Sequence, residues 1–401
     1  MQKIISQNSF VRIFFFLLLS ECVIGGGGRF TAFGPLSLRM IFFGIGLLIS
    51  FIYFLYNKTL PRDVSLLVMI FTILIIISSI YGVLNNAPMD LLLEDIKAVM
   101  FFYIIIFFSF YIHSRKDIEN SILIIKAGSV FLALIYFLFI VLLLTGTIDF
   151  QSFWEKQSEI GEVLFRGETL FFYKGFLYLC IGYLFFISSH KASDRFFSVM
   201  IFIAIVLTLT RGFLLFIIII TLINFFAGKR SIWFKYFVAG LLFLVFLIGI
   251  PIFLEALGEK SESDLIRIMQ LDQVFQGINI FSLFFGHGFG VGIPVRPIHM
   301  EISYLEIFQK QGLFGLLLWI SLAFYPIWLF LKIRNKEIKN LTFPFILGVI
   351  FIFLQSGTNP YLNNSIGLSF ITLSIAILSR VNELDFIQDW ENRAMNIRNS
   401  N

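Results

Sequence analysis

Residues 255–312 read EALGEKSESDLIRIMQLDQVFQGINIFSLFFGHGFGVGIPVRPIHMEISYLEIFQKQG. The runs on either side, FVAGLLFLVFLIGIPIFL (237–254) and LFGLLLWISLAFYPIWLFL (313–331), carry no charged residue. A membrane-spanning helix needs about 20 such residues. The polar stretch is therefore an insertion between spans. The chain reads as a helical membrane protein that holds this stretch at one face of a bilayer.

The rest of the sequence repeats the pattern. Of 401 residues, 58% are hydrophobic and 14% charged, against about 25% charged in soluble domains. The net charge of +5 reflects basic loops, as is usual in membrane proteins, and does not imply a nucleic-acid partner. Cys22 and Cys180 lie in apolar segments, so they offer neither a disulfide framework nor metal-ligand spacing. The first apolar run ends in SECVIGGGG, a poor match to a small-x-small cleavage site, and reads as a retained helix.

Spans are expected at about 9–25, 36–56, 64–84, 96–113, 120–145, 169–189, 195–210, 211–228, 233–254, 310–333, 340–357 and 363–381. This is an all-α polytopic fold of about twelve transmembrane helices. The connections 57–63, 113–120, 188–195, 227–235 and 332–340 are rich in Lys and Arg, which places them, with both termini, in the cytoplasm. The connections 25–35, 85–97, 145–168, 255–312 and 357–364 then face outward, into the periplasm of a Gram-negative cell. Four regions follow: spans one to nine in 1–254, a large outer loop with amphipathic helices in 255–312, spans ten to twelve in 313–381, and a cytoplasmic tail in 382–401. No internal repeat of the kind that marks secondary transporters is evident.

The pair 195–210 and 211–228 is short for two spans, and TRG (210–212) sits at its turn. Arg211 falls at the outer membrane edge. A cation there either snorkels or faces a water-filled cavity and meets an anion. Within the large loop, 263–278 has the spacing of a surface helix. GHGFGVG (286–292) is either a tight turn or a set of backbone N–H donors for phosphate. Pro297 reads as the first residue of a helix on which His299, Ser303, Glu306 and Lys310 share a face. Glu306 and Lys310 form an i, i+4 pair on it.

His299 is the natural general base near neutral pH, or a helix-start residue bonded to backbone. Glu301, in the same turn near Arg296, is a second base or a helix-dipole support. Arg166 in LFRGETLFFYKG either binds phosphate or anchors at the interface, and Lys174 lies about one turn inside the span that follows. Asn359, Tyr361 and Asn363 in GTNPYLNN either cap a helix hairpin or touch a sugar. No cluster of His and carboxylates in the sequence calls for a metal.

GHGFGVGIPVRPIHMEISYLEIFQKQGLFGLL (286–317) resembles the signature of the Wzy-type O-antigen or capsule polymerases. TRGFLLFIIII (210–220) and TNPYLNNSIG (358–367) are similar to two further motifs of that family, and the likeness covers about 195–380. The resemblance implies a metal-independent, cofactor-free glycosyltransferase of the C-type membrane architecture, in the bacterial inner membrane with its active face in the periplasm. Its substrates would be undecaprenyl-pyrophosphate-linked oligosaccharides. It would move the growing chain onto a sugar hydroxyl of a new lipid-linked repeat.

On that reading Arg211, with His299 or Glu301, belongs to the catalytic set. Arg296, Arg166, Arg267, Tyr304 and Asn359 hold substrate and pyrophosphate, arginine matching phosphate geometry with paired donors. A Wzz-type chain-length co-polymerase is implied as a partner. The alternative within the superfamily is an O-antigen ligase, with lipid A–core as acceptor. A lipid-linked oligosaccharide flippase would require mid-span charges and two related halves.

Overall fold

The computed structural model describes residues 9–33, 36–56, 59–189, 191–227 and 261–399. They run as α1 (Ser9–Ile24), β1 (Ala32–Phe33), β2 (Leu36–Ser37), α2 (Leu38–Leu55), α3 (Arg62–Leu84), α4 (Met89–Met100), α5 (Ile104–Tyr111), α6 (Arg115–Leu144) and α7 (Phe150–Ile160). Next come β3 (Val163–Arg166), β4 (Leu170–Tyr173), α8 (Leu177–Ile187), α9 (Ala192–Leu207) and α10 (Arg211–Ala227). The last elements are α11 (Ser261–Gln276), α12 (Ile280–Phe285), α13 (Ser303–Lys332), α14 (Lys336–Gln355) and α15 (Ser365–Asn399). The span expected at 233–254 and the opening of the large loop, 255–260, lie outside the described residues.

Among the described residues, six helices are long and apolar enough to cross a membrane: α2, α3, α6, α13, α14 and α15 as far as Glu383. The chain is a mostly helical, multi-pass membrane protein. Leu48, Phe51, Leu66, Ile73 and Leu134 stand exposed along α2, α3 and α6, as lipid-facing side chains do. The interior is built on α8, in which residues 177–186 are buried without exception. It packs against α6, α9 and α14. Polar sequence fixes the helix starts. Ser114 and Asp117 form a capping box ahead of α6, and the Asn335 side chain accepts from Glu337 N and Ile338 N at the start of α14.

Three expected elements differ. The span 96–113 divides into α4, a 3-10 turn at Phe101–Tyr103, and α5. The span expected from 169 begins instead with a β-hairpin, in which Arg166 pairs with Leu170 and Val163 with Tyr173. Leu-Phe-Phe-Tyr is apolar enough to pass for the start of a span, and hydropathy alone cannot separate a short buried strand from a helix. Third, no helix starts at Pro297. The helix begins at Ser303, and residues 297–302 form bends ahead of it. The short pair around TRG is as expected: α9 has 16 residues, α10 has 17, and Thr208–Thr210 turn between them.

Candidate functional site

A cavity of about 1470 Å³ opens at one end of the bundle. Its wall draws on Arg29 and Ser37, Glu94 and Lys97, Glu162 and Arg166, Arg267, Arg296 and His299 with Glu301 and Glu306, and the turn around Asn359 to Ile366. These positions lie in or beside the five connections that the charge pattern assigns to the outer side. Seven arginines and lysines (Arg29, Arg39, Lys97, Arg166, Lys174, Arg267, Arg296) face four glutamates (Glu94, Glu162, Glu301, Glu306). The wall therefore carries a net positive charge before His299 is counted.

The Gly-rich turn packs against α3 and α13 and does not line this wall. Four of its N–H groups are spent on the neighbouring elements: His287 N on Gln309 O (2.8 Å), Gly288 N on Lys310 O (3.0 Å), Phe289 N on Ser78 O (2.9 Å) and Gly290 N on Asp95 Oδ2 (2.7 Å). These bonds fold it as a tight turn. Gly288, at φ +92°, lies so close to α3 that a Cβ would meet Gly82 N at 2.0 Å. Side chains are excluded there by both conformation and space.

Because His299 precedes the helix, it folds back on it. His299 Nδ1 lies 3.3 Å from Glu306 Oε1, and Nε2 lies 3.6 Å from Glu94 Oε1. Glu306 is buried, while His299 is partly exposed to the cavity. The hydrogen bond to Glu306 lifts the His299 pKa above its ordinary value, burial opposing it in part. A carboxylate on Nδ1 fixes the tautomer that leaves Nε2 as a proton acceptor. Glu306 in turn accepts from Lys310 Nζ (2.6 Å), which also donates to Asp95 Oδ1 (2.7 Å) and Ile298 O (2.9 Å). Asp95, His299 and Glu306 bring ligand-type atoms within 4.8 Å of one another. The Lys310 ammonium, however, already bonds both carboxylates that a metal ion would need.

Glu301 has a different place. Its carboxylate takes Arg267 Nε at 3.0 Å and Arg296 Nη2 at 2.8 Å, and its N–H donates to Gln270 Oε1 (3.2 Å). It orients two guanidinium groups. Both of its carboxylate oxygens are engaged by these guanidinium groups. These bonds, with Val274 buried against Ile293, Met300 and Leu305, dock α11 over the cavity rim.

On the opposite wall Arg166 ends β3. Burial, and then the neighbouring Arg211 guanidinium, hold Arg166 below the usual arginine range. Among the described residues, Arg166 Nε and Arg296 Nε are buried without a hydrogen-bond acceptor. Arg211 opens α10 beside Arg166 but does not line the cavity. The adjoining Gly212 packs against Gln355 and Thr358. Asn359 lines the cavity. Tyr304 does not: its hydroxyl donates to Phe353 O at 2.5 Å, which makes it a helix-to-helix tie.

The structure thus brings His299, Glu301, Arg296, Arg267, Arg166 and Asn359 to one cavity, sets Arg211 behind Arg166, and removes Tyr304. It adds Glu94, Asp95, Lys97 and Glu306. The acidic pair in LLLEDIK (91–97) was visible only as outer-loop charge. Nothing in its local spacing points to a histidine so distant in sequence.

No family model matches the chain. It is similar to a protein of Shigella flexneri named O-antigen polymerase, 29% identical over 377 residues that cover 91% of this chain and 94% of that protein. The similarity runs well beyond the motifs in 195–380 into the N-terminal half.

Proposed function

We propose that this protein polymerises O-antigen by joining lipid-linked oligosaccharide repeat units. The growing chain leaves its undecaprenyl pyrophosphate and passes to a sugar hydroxyl of a new repeat. The observation that carries this reading is the cavity itself, where a carboxylate-held histidine shares one wall system with cationic donors. His299 Nε2 takes the proton of the acceptor hydroxyl while Glu306 stabilises the imidazolium that forms. Arg296 and Arg166, each with a buried donor to spare, bind the pyrophosphate and offset the charge that grows on it as the glycosidic bond breaks. Arg267 and Glu301 hold Arg296 in place, and Arg211 adds to the positive field from behind Arg166. The residues supply this chemistry without a metal. The positive-inside pattern supports a periplasmic cavity and cytoplasmic termini.

A deletion strain read on a lipopolysaccharide gel tests the reading. Loss of a polymerase leaves core capped with one repeat unit. Bare core with accumulated lipid-linked polymer would point to the ligase instead, and bare core without outer polymer to a flippase.

A further inference from the structure

We propose that Asp95 and Lys310 are positioning residues of the transfer reaction: with Glu306 they form a buried relay that fixes the ring orientation and proton affinity of His299. The inference rests on the reading of His299 as the base. The relay is a chain of contacts with no slack. Lys310 has three N–H donors, and all are used, on Glu306 Oε1, Asp95 Oδ1 and Ile298 O. Asp95 uses its other oxygen to accept from Gly290 N at 2.7 Å, so the Gly-rich turn anchors the far end. Glu306 Oε2 accepts from Met300 N at 3.3 Å, next in sequence to His299. Glu306 is thus gripped from two sides, and Oε1 has one remaining direction, toward His299 Nδ1.

Asp95, Glu306 and Lys310 are each at most 5% exposed. A buried ion network contributes little stability over apolar residues of similar volume. Three buried charges that end on one cavity-facing histidine are better explained by what they do to that histidine. Other charged groups also face it: Glu94 from α4 lies beside Nε2, Arg296 and Glu301 flank it in its own segment, and Lys97 lines the same cavity. Only Asp95 and Lys310 reach it through Glu306, so they act by orientation and by charge.

The two modes have separate signatures. The assay uses purified protein in lipid nanodiscs, with the lipid-linked repeat unit extracted from a polymerase-deficient strain, and measures kcat/KM against pH. Asp95→Asn removes one negative charge while keeping shape. The acidic limb should move to lower pH by about half a unit or more, and kcat should fall. Asp95→Asn with Lys310→Met restores the net charge. Its limb should return toward the wild-type position while kcat stays low, because Glu306 has lost its grip.

If both variants lose activity with the limb unmoved, the two residues are structural and the proposal is overturned. A limb that moves up in Asp95→Asn would overturn it as well. The reading beneath it fails separately: His299→Ala that keeps the wild-type limb would remove His299 as base whatever Asp95 and Lys310 do. Thermal unfolding of each variant by tryptophan fluorescence shows whether a loss of activity is a loss of fold.

Discussion

At the scale of single residues, the site turns on which carboxylate serves which cation. Helical spacing puts Glu306 on the face of His299, whereas Glu301 lies nearer in sequence, in the same turn. The structure separates them. Glu306 orients the histidine, and Glu301 orients Arg267 and Arg296. A pH prediction follows from the first contact. The base works unprotonated, so kcat/KM should rise with pH, through a midpoint above the ordinary histidine value of about 6.5, because the Glu306 bond raises the His299 pKa. Glu306→Gln should lower that midpoint, since the charge that favours imidazolium is gone. A midpoint that stays put or rises would count against the dyad. From the second contact, Glu301→Gln should raise the KM for the lipid-linked repeat about tenfold or more, as the loss of one charged hydrogen-bond partner costs about 1.5–3 kcal/mol, with a smaller effect on kcat. His299 itself was legible from residue type and position. Glu306 and Lys310 were legible on its face by spacing, but Asp95 was not, because it joins them only through a tertiary contact.

At the scale of elements, the helices were legible wherever an apolar run is long and ends at a polar cap, as in α3 or α6. They were misread where four apolar residues make a strand, as in β4, and where a proline opens bends instead of a helix, as at Pro297. The break at Gly312 was visible as the end of the polar stretch, but its cause was not. Gly312 adopts φ +63° and ψ −163° inside α13, and a Cβ on it would meet the Phe284 carbonyl carbon at 2.3 Å. This kink lets α12 lie against α13. Gly312→Ala should therefore destabilise the protein by about 2 kcal/mol or more, lowering its unfolding temperature in detergent. An unchanged temperature would mean the kink relaxes at no cost.

At the scale of the whole molecule, the sequence assigns five connections to one side by charge alone, and those five surround a single cavity. What charge bias could not reveal is that they meet, because closure of the cavity depends on how α4, α13 and the β3–β4 hairpin come together. Which side of the membrane they occupy is open to direct test. Both native cysteines are buried, so they give little background to an impermeant thiol reagent. Phe275→Cys on α11 should be labelled in intact cells with a permeabilised outer membrane, and Glu337→Cys at the start of α14 only after lysis. The reverse pattern would invert the topology.

If O-antigen chains grow in the cavity lined by His299, Arg166 and Arg296, chain extension depends on His299. The most direct measurement is complementation of a polymerase-deficient strain with His299→Ala, checked for equal membrane levels and read as the lipopolysaccharide ladder. Core carrying a single repeat unit, as in the uncomplemented strain, is the expected result, and a ladder of wild-type length at normal abundance would rule His299 out of chain growth.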